Sequence, residues 1–284
     1  DAPSLSVTAS GPLSTTVGAS YSQTFSFNGG AEPFGSYQVT GLPAGVEVTE
    51  STLDSVTIAG IPRAQGTFAI SVSAIDSSIG DGPFPVGGVF NLNVGAPNLV
   101  LAPASGSFDT AYAAAFTRSF TASGGIGGYS YTISGALPAG LAFDAVSGTL
   151  SGSPTQAGSF PITVIATDTG ATGPGAPFTV SGSYTITVAA PIIVISPGTL
   201  PGASVGVAYS STISATGGAS PYSFAVTGGA LPTGLSLAPS GQLSGNPSAS
   251  GSFSFTVTAA DSNVTPGPFT ESRSFTLEVA APLV

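Results

Sequence analysis

The chain has 284 residues, of which 3 are Arg and 13 are acidic, for a net charge of −10, and it contains no Lys, His or Cys. This composition excludes phosphate-neutralising nucleic-acid binding, docking on an anionic membrane surface, disulfides, thiolate or imidazole metal sites and a Ser-His-Asp triad. Only 6% of residues are charged, against about 25% in typical domains; the mean hydropathy of +0.43 therefore reflects missing charge, since Gly and Pro interrupt every run well short of a membrane span.

In chain order, Tyr21, Phe25 and Phe27 precede Gly29-Gly30, and Leu42-Pro43-Ala44-Gly45 follows. Next come Gly60-Ile61-Pro62 and the alternating row Phe68, Ile70, Val72, Ala74, which runs into Asp76. Pro83-Phe84, the row Phe90, Leu92, Val94 and Ala96-Pro97 complete the unit. The series then restarts. Phe116, Phe120 and Ala122 precede Gly124-Gly125, followed by Leu137-Pro138-Ala139-Gly140, Gly152-Ser153-Pro154, then Phe160, Ile162, Val164, Ala166 and Asp168. Pro177-Phe178, Tyr184, Ile186, Val188 and Ala190-Pro191 end the second unit. The third has Tyr209, Ile213, Ala215, Gly217-Gly218, Leu231-Pro232-Thr233-Gly234 and Gly245-Asn246-Pro247. It closes with Phe253, Phe255, Val257, Ala259, Asp261, Pro268-Phe269 and Phe275, Leu277, Val279. Period-2 rows mark half-buried strands, and short strands with Gly/Pro punctuation every 8–15 residues mark sandwiches. The fold expected is all-β: three tandem Ig-like/cadherin-like β-sandwiches in an extended rod, with domains at 1–96, 97–190 and 191–284.

Local chemistry accounts for the repeated turns. In Leu-Pro-x-Gly, Pro suits the second position of a type I turn and Gly the fourth. Ser147-Gly148 and Ser240-Gly241 read as tight turns with Gly at positive φ. The first copy lacks that pair, and its stretch from Gly45 to Gly60 is longer, so its hairpin should differ.

The string Ala136-Leu137-Pro138-Ala139-Gly140-Leu141-Ala142-Phe143-Asp144, then Ser147-Gly148-Thr149-Leu150-Ser151-Gly152-Ser153-Pro154-Thr155-Gln156-Ala157-Gly158, resembles the He-PIG immunoglobulin-like repeat, a relative of the cadherin-like domains of dystroglycan. Ile162-Thr163-Val164-Ile165-Ala166-Thr167-Asp168 matches its tail; the third copy matches nearly as well, and the first departs at Val46-Glu47-Val48-Thr49. The resemblance implies a secreted or surface-displayed bacterial protein whose modules act as stalks, spacers or adhesive units. That is an analogy at the level of fold.

No catalytic, cofactor-binding or metal-ligating set is expected. The acids are scattered, and no carboxylate pair recurs as glycoside hydrolysis would need. Asp76, Asp168 and Asp261 alone recur in all three copies. They read either as calcium ligands at joints, as in cadherins, or as Asx-type caps where a strand ends; without companion acids to reach six to eight oxygens, the cap is preferred. Phe34, Tyr129 and Tyr222 follow the Gly-Gly pairs and either stack on sugars or plug the sandwich end. Asn263-Val264-Thr265 is the one glycosylation sequon, and Arg63, Arg118 and Arg273 are too few for a basic patch.

The joints Ala96-Pro97 and Ala190-Pro191 carry no flexible Gly/Ser run, which predicts a semi-rigid array. Asp1-Ala2-Pro3 and Ala281-Pro282 repeat the joint, as expected of a piece cut from a longer array or of subunits meeting head to tail. Edges without Lys favour strand-edge assembly as well. The function expected is a non-enzymatic extracellular or cell-surface rod, part of a bacterial filament or adhesin stalk, forming homo-oligomers through its chain ends and edges. Adhesion to a glycan or surface protein, or service as spacers of a larger secreted enzyme or autotransporter passenger, are the alternatives.

Overall fold

The computed structural model describes residues 4–264 and 266–282. Pro3, Thr265 of the sequon and Leu283-Val284 lie outside them. Every regular element described is a strand, and each strand pairs within 6–95, 100–189 or 194–280.

The first unit is a two-sheet sandwich, and in the second and third units the counterpart of one of those sheets is split into a three-stranded and a two-stranded sheet. In the first, one sheet orders Ser6–Ala9, Tyr21–Asn28, Ser55–Gly60 and Val46–Ser51; the other orders Ser14–Thr16, Pro85–Gly95, Gly66–Ile75 and Gly35–Thr40. The alternating rows face inward as their period requires. Four equivalent positions form the centre of each core: Phe25, Ile58, Val72 and Leu92, then Phe120, Leu150, Val164 and Ile186, then Ile213, Leu243, Val257 and Leu277. All twelve side chains are at most 1% exposed. The outward positions between them carry Ser, Thr and other small residues, such as Thr256, Thr258, Ser272 and Ser274, whose hydroxyls bond one another across the strands.

Two expectations need correction. The strand at Phe116 is interrupted rather than continuous. Phe116–Ser119 pairs with Thr149–Gly152, whereas Thr121–Ser123 changes partner to Val100–Ala102. The Ser147-Gly148 turn ends its hairpin early, and the N–H of Phe120 donates to the Gly148 carbonyl at 2.8 Å; Ile213 does the same to Gly241. The first copy's longer hairpin keeps six paired positions, Tyr21↔Gly60 to Ser26↔Ser55, so its strand is unbroken.

The Leu-Pro-x-Gly turn is shifted by one residue. The N–H of Val46 donates to Pro43, Leu141 to Pro138 and Leu235 to Pro232, so Pro opens the turn and Gly is its third residue. Gly45, Gly140 and Gly234 there have φ of +87°, +90° and +96°, as the third position of a type II turn demands. This places their carbonyls to accept the N–H of Ile61, Ser153 and Asn246, which ties Leu-Pro-x-Gly to Gly-x-Pro, the two most repeated motifs of the chain.

One topological feature is common to all three units. The strand after the entry segment runs parallel to the last strand and beside it. The pairs are Ser14–Thr16 with Pro85–Gly95 over three positions, Gly106–Ala111 with Phe178–Ala189 over six, and Ala203–Ser204 with Thr270–Ala280 over two.

Candidate functional site

The sequence singled out the three aspartates, and the structure places each at one end of its sandwich, here termed the apex. Asp76, Asp168 and Asp261 are buried, at 3%, 0% and 5% exposure. Asp261 Oδ2 accepts the N–H of Ala219 at 3.0 Å, and Oδ1 accepts those of Phe269 at 2.8 Å and Asn263 at 3.2 Å. Asp168 accepts from Ile126 at 2.8 Å and Gly170 at 3.0 Å. Asp76 accepts from Ala31, Phe84 and Ser78 N–H and from the Ser78 hydroxyl. That hydroxyl, with the Phe84, Ala31 and Ser78 amides, holds the Asp76 carboxyl below the usual carboxylate range against the opposing effect of burial.

Each carboxylate thus ties the Gly-Gly loop and, in the first and third units, the Pro-Phe loop to the end of its strand, through an i→i+2 Asx-type bond and longer-range ones. Donors converge on these oxygens, which is the electrostatic environment of a cap. Among the described residues no three acidic side chains come together.

The aromatics after the Gly-Gly pairs also turn inward. Phe34 is buried against Phe27, with ring centroids 5.7 Å apart. Tyr129 and Tyr222 are half-buried, and their hydroxyls donate back to the Gly124 and Gly217 carbonyls. Burial first, then the nearby Asp168 or Asp261 charge, pushes both phenols up. They close the apex and present no flat platform. The side-chain nitrogen of Asn263 is buried. The three Arg residues are one per domain: Arg118 lies 4.6 Å from the Phe108 ring centroid, Arg273 donates to the Ile195 carbonyl, and the Arg63 carbonyl accepts a bond from domain 2.

That last contact belongs to a feature the sequence reading missed, the inequality of the two joints. At the first, the apex of domain 2 packs into the base of domain 1. Thr172 N–H donates to the Arg63 carbonyl at 2.9 Å. Ala171 is buried within the domain 1 core cluster, and Ile126, Ala176 and Phe178 pack against it. At the second joint no backbone hydrogen bond links the domains among the described residues. Tyr112 instead meets Phe269 edge to face, with ring centroids 6.5 Å apart. A cleft lined by Ala139, Thr155, Gln156, Asn263 and Val264 remains open. Aligning the copies gives the signal: Val17, Gly18 and Ala64 of the first base become Tyr112, Ala113 and Gln156 in the second.

The He_PIG family model, described as "Putative Ig domain", matches residues 91–189 and 191–280. The chain belongs to the He_PIG family. Its two matched copies are those that keep the Ser-Gly turn, and the divergent hairpin from Val46 to Gly60 lies outside the matched residues. A search of curated proteins gave no match. Among solved structures, the He_PIG chain is similar to protocadherin gamma B2 extracellular cadherin domains 3–6, at 16% identity over 99% of this chain and 79% of that one, with a TM-score of 0.31. It is similar to an I-band fragment of titin at 11% identity over 99% of each chain, TM-score 0.40. A mouse cadherin-23 fragment shows 17% identity over 98% of this chain and 99% of that one, TM-score 0.30.

Proposed function

We propose that this He_PIG chain is a non-enzymatic, extracellular structural module, a load-bearing rod segment of a bacterial surface filament or adhesin stalk. The parallel pairing of entry and exit strands carries this reading. In domain 2, Gly106–Ala111 and Phe178–Ala189 both run from apex to base. Tension drags the first toward the apex and the second toward the base, so the ladder is loaded in shear and its bonds resist together. The last strand of each domain leads directly into the next through Ala96-Pro97 or Ala190-Pro191, with no slack to absorb extension. The reading needs no cation, because the joint aspartates are already satisfied by amide donors.

Pulling the chain by its ends in a single-molecule force experiment tests it. Domain 2, with six parallel pairs, should unfold at the highest force, domain 1 with three next, and domain 3 with two at the lowest. Forced unfolding is governed by the unfolding barrier, so shortening the ladder by Thr110→Pro should weaken domain 2 selectively. Extension of all three domains at forces indistinguishable from thermal noise would contradict a load-bearing role.

A further inference from the structure

The two outer domains repeat features of the first joint. In the first joint, Val17, Gly18 and Ala64 form a small apolar base against which domain 2 seats. Val17 is 1% and Ala64 7% exposed. Gly18 approaches the next domain so closely that a Cβ there would lie 2.0 Å from the Gly125 carbonyl oxygen. Domain 2 has lost this base. Tyr112, Ala113 and Gln156 are larger, and Val264 of domain 3, which occupies the position of Ala171, stays 89% exposed.

Domain 3 regains it. Val205, Gly206 and Ala249 stand where domain 1 has Val17, Gly18 and Ala64. The backbone is the same as well: Gly206 N–H donates to Pro247 at 2.9 Å as Gly18 does to Pro62 at 3.0 Å, and φ is +78° against +83°. Nothing lies within 4 Å of a Cβ built at Gly206, Ala249 is exposed, and Val207 beside them is 59% exposed. At the opposite end, the apex of domain 1 presents Ile79, three residues after Asp76 as Ala171 is after Asp168. It is 95% exposed, the most exposed large apolar side chain among the described residues.

We infer that the base of domain 3 is a socket for the apex of domain 1 of a second copy of this chain, with Ile79 seated where Ala171 sits in the first joint. Gly80 N–H, the counterpart of Thr172, donates to the Ser248 carbonyl, the counterpart of Arg63. The inference rests on the reading of the chain as an end-to-end structural module. The occupant follows from the joint already formed within the chain: this base geometry receives a He_PIG apex, and the apex of domain 1 presents Ile79 at the position that Ala171 holds in that joint. Such a contact is heterologous and does not close on itself, so it propagates as a filament.

Sedimentation and light scattering of the whole chain, from about 10 µM to about 1 mM, test this over the range in which small interfaces associate. The weight-average mass should rise with concentration beyond a dimer. Ile79→Glu, which spoils the apex, and Ala249→Gln, which copies Gln156 of domain 2, should each weaken association by about tenfold or more. Neither should alter the melting temperature, since Ile79 is exposed and Gln is already accepted at the equivalent site of domain 2. Mixing the two variants should restore a dimer and stop there, because one keeps an intact base and the other an intact apex. A constant monomer mass up to about 1 mM, or association indifferent to both substitutions, would overturn the socket. Either result leaves the force hierarchy of single chains unaffected, so loss of the socket and loss of the load-bearing reading are separable.

Discussion

Asp261→Ala is expected to destabilise domain 3 by about 4 kcal/mol, and calorimetry should show its transition fall by roughly 15–30 °C. The substitution strands three backbone amides, Ala219, Asn263 and Phe269, which donate to this carboxylate from two loops and the strand end. Each buried donor left without an acceptor costs about 1–3 kcal/mol, and water entering the opened apex offsets part of the sum. Asp261→Asn should lose about half as much, because one oxygen still accepts while its NH₂ group confronts an amide donor. Calcium added to the wild-type chain should leave the transition in place, since the oxygens a cation would need already face N–H groups. A variant melting within about 3 °C of wild type, less than 1 kcal/mol, would show that the cap does not hold the apex together.

Gly140→Ala is expected to cost domain 2 about 3 kcal/mol or more, the scale of enforced backbone strain. The new Cβ would lie 2.1 Å from the Ser153 carbonyl oxygen, at a residue whose φ is +90°. Backbone on both sides prevents relief, because Gly152 opposite would itself place a Cβ 2.1 Å from the Gly140 oxygen. Gly106→Ala provides the comparison within the same domain. Its Cβ meets nothing nearer than 3.9 Å, so it should change stability by about 1 kcal/mol or less, in the stabilising direction. Thermal melts of both variants decide the point, and equal stability would contradict the paired-glycine crossing.

Much of this architecture is legible in the residues. Phe253, Phe255, Val257 and Ala259 alternate without interruption because a strand in a sandwich buries every second side chain. The aspartates were visible through their spacing, and the cap follows from the scarcity of other oxygen ligands around them. The phase of the Leu-Pro-x-Gly turn was not, since Pro is permitted at more than one turn position and the choice is made by the carbonyl of Gly140 meeting the N–H of Ser153 across the sheet. The break after Ser119 was hidden for a related reason: Phe120 keeps its inward phase although its amide changes partner. The unequal joints lie furthest from sequence. Tyr112 and Gln156 look like ordinary surface residues until the base they belong to is known, and the difference shows only when they are aligned with Val17 and Val205, and with Ala64 and Ala249, beside the triplet Gly18, Ala113, Gly206.

The load-bearing role and the proposed socket require that the three sandwiches stand end to end. In domain 2 the strand Gly158–Asp168 runs from the base to the apex, so the two joints lie at opposite ends of the domain. At about 35–45 Å per domain the array would extend on the order of 100–130 Å. Small-angle X-ray scattering of the dilute chain is the direct measurement. A rod of that length has a radius of gyration of about 33 Å, whereas 284 residues folded into one compact body would give about 19 Å. A value near the first is the expected result, and a value near the second would contradict an extended, load-bearing array.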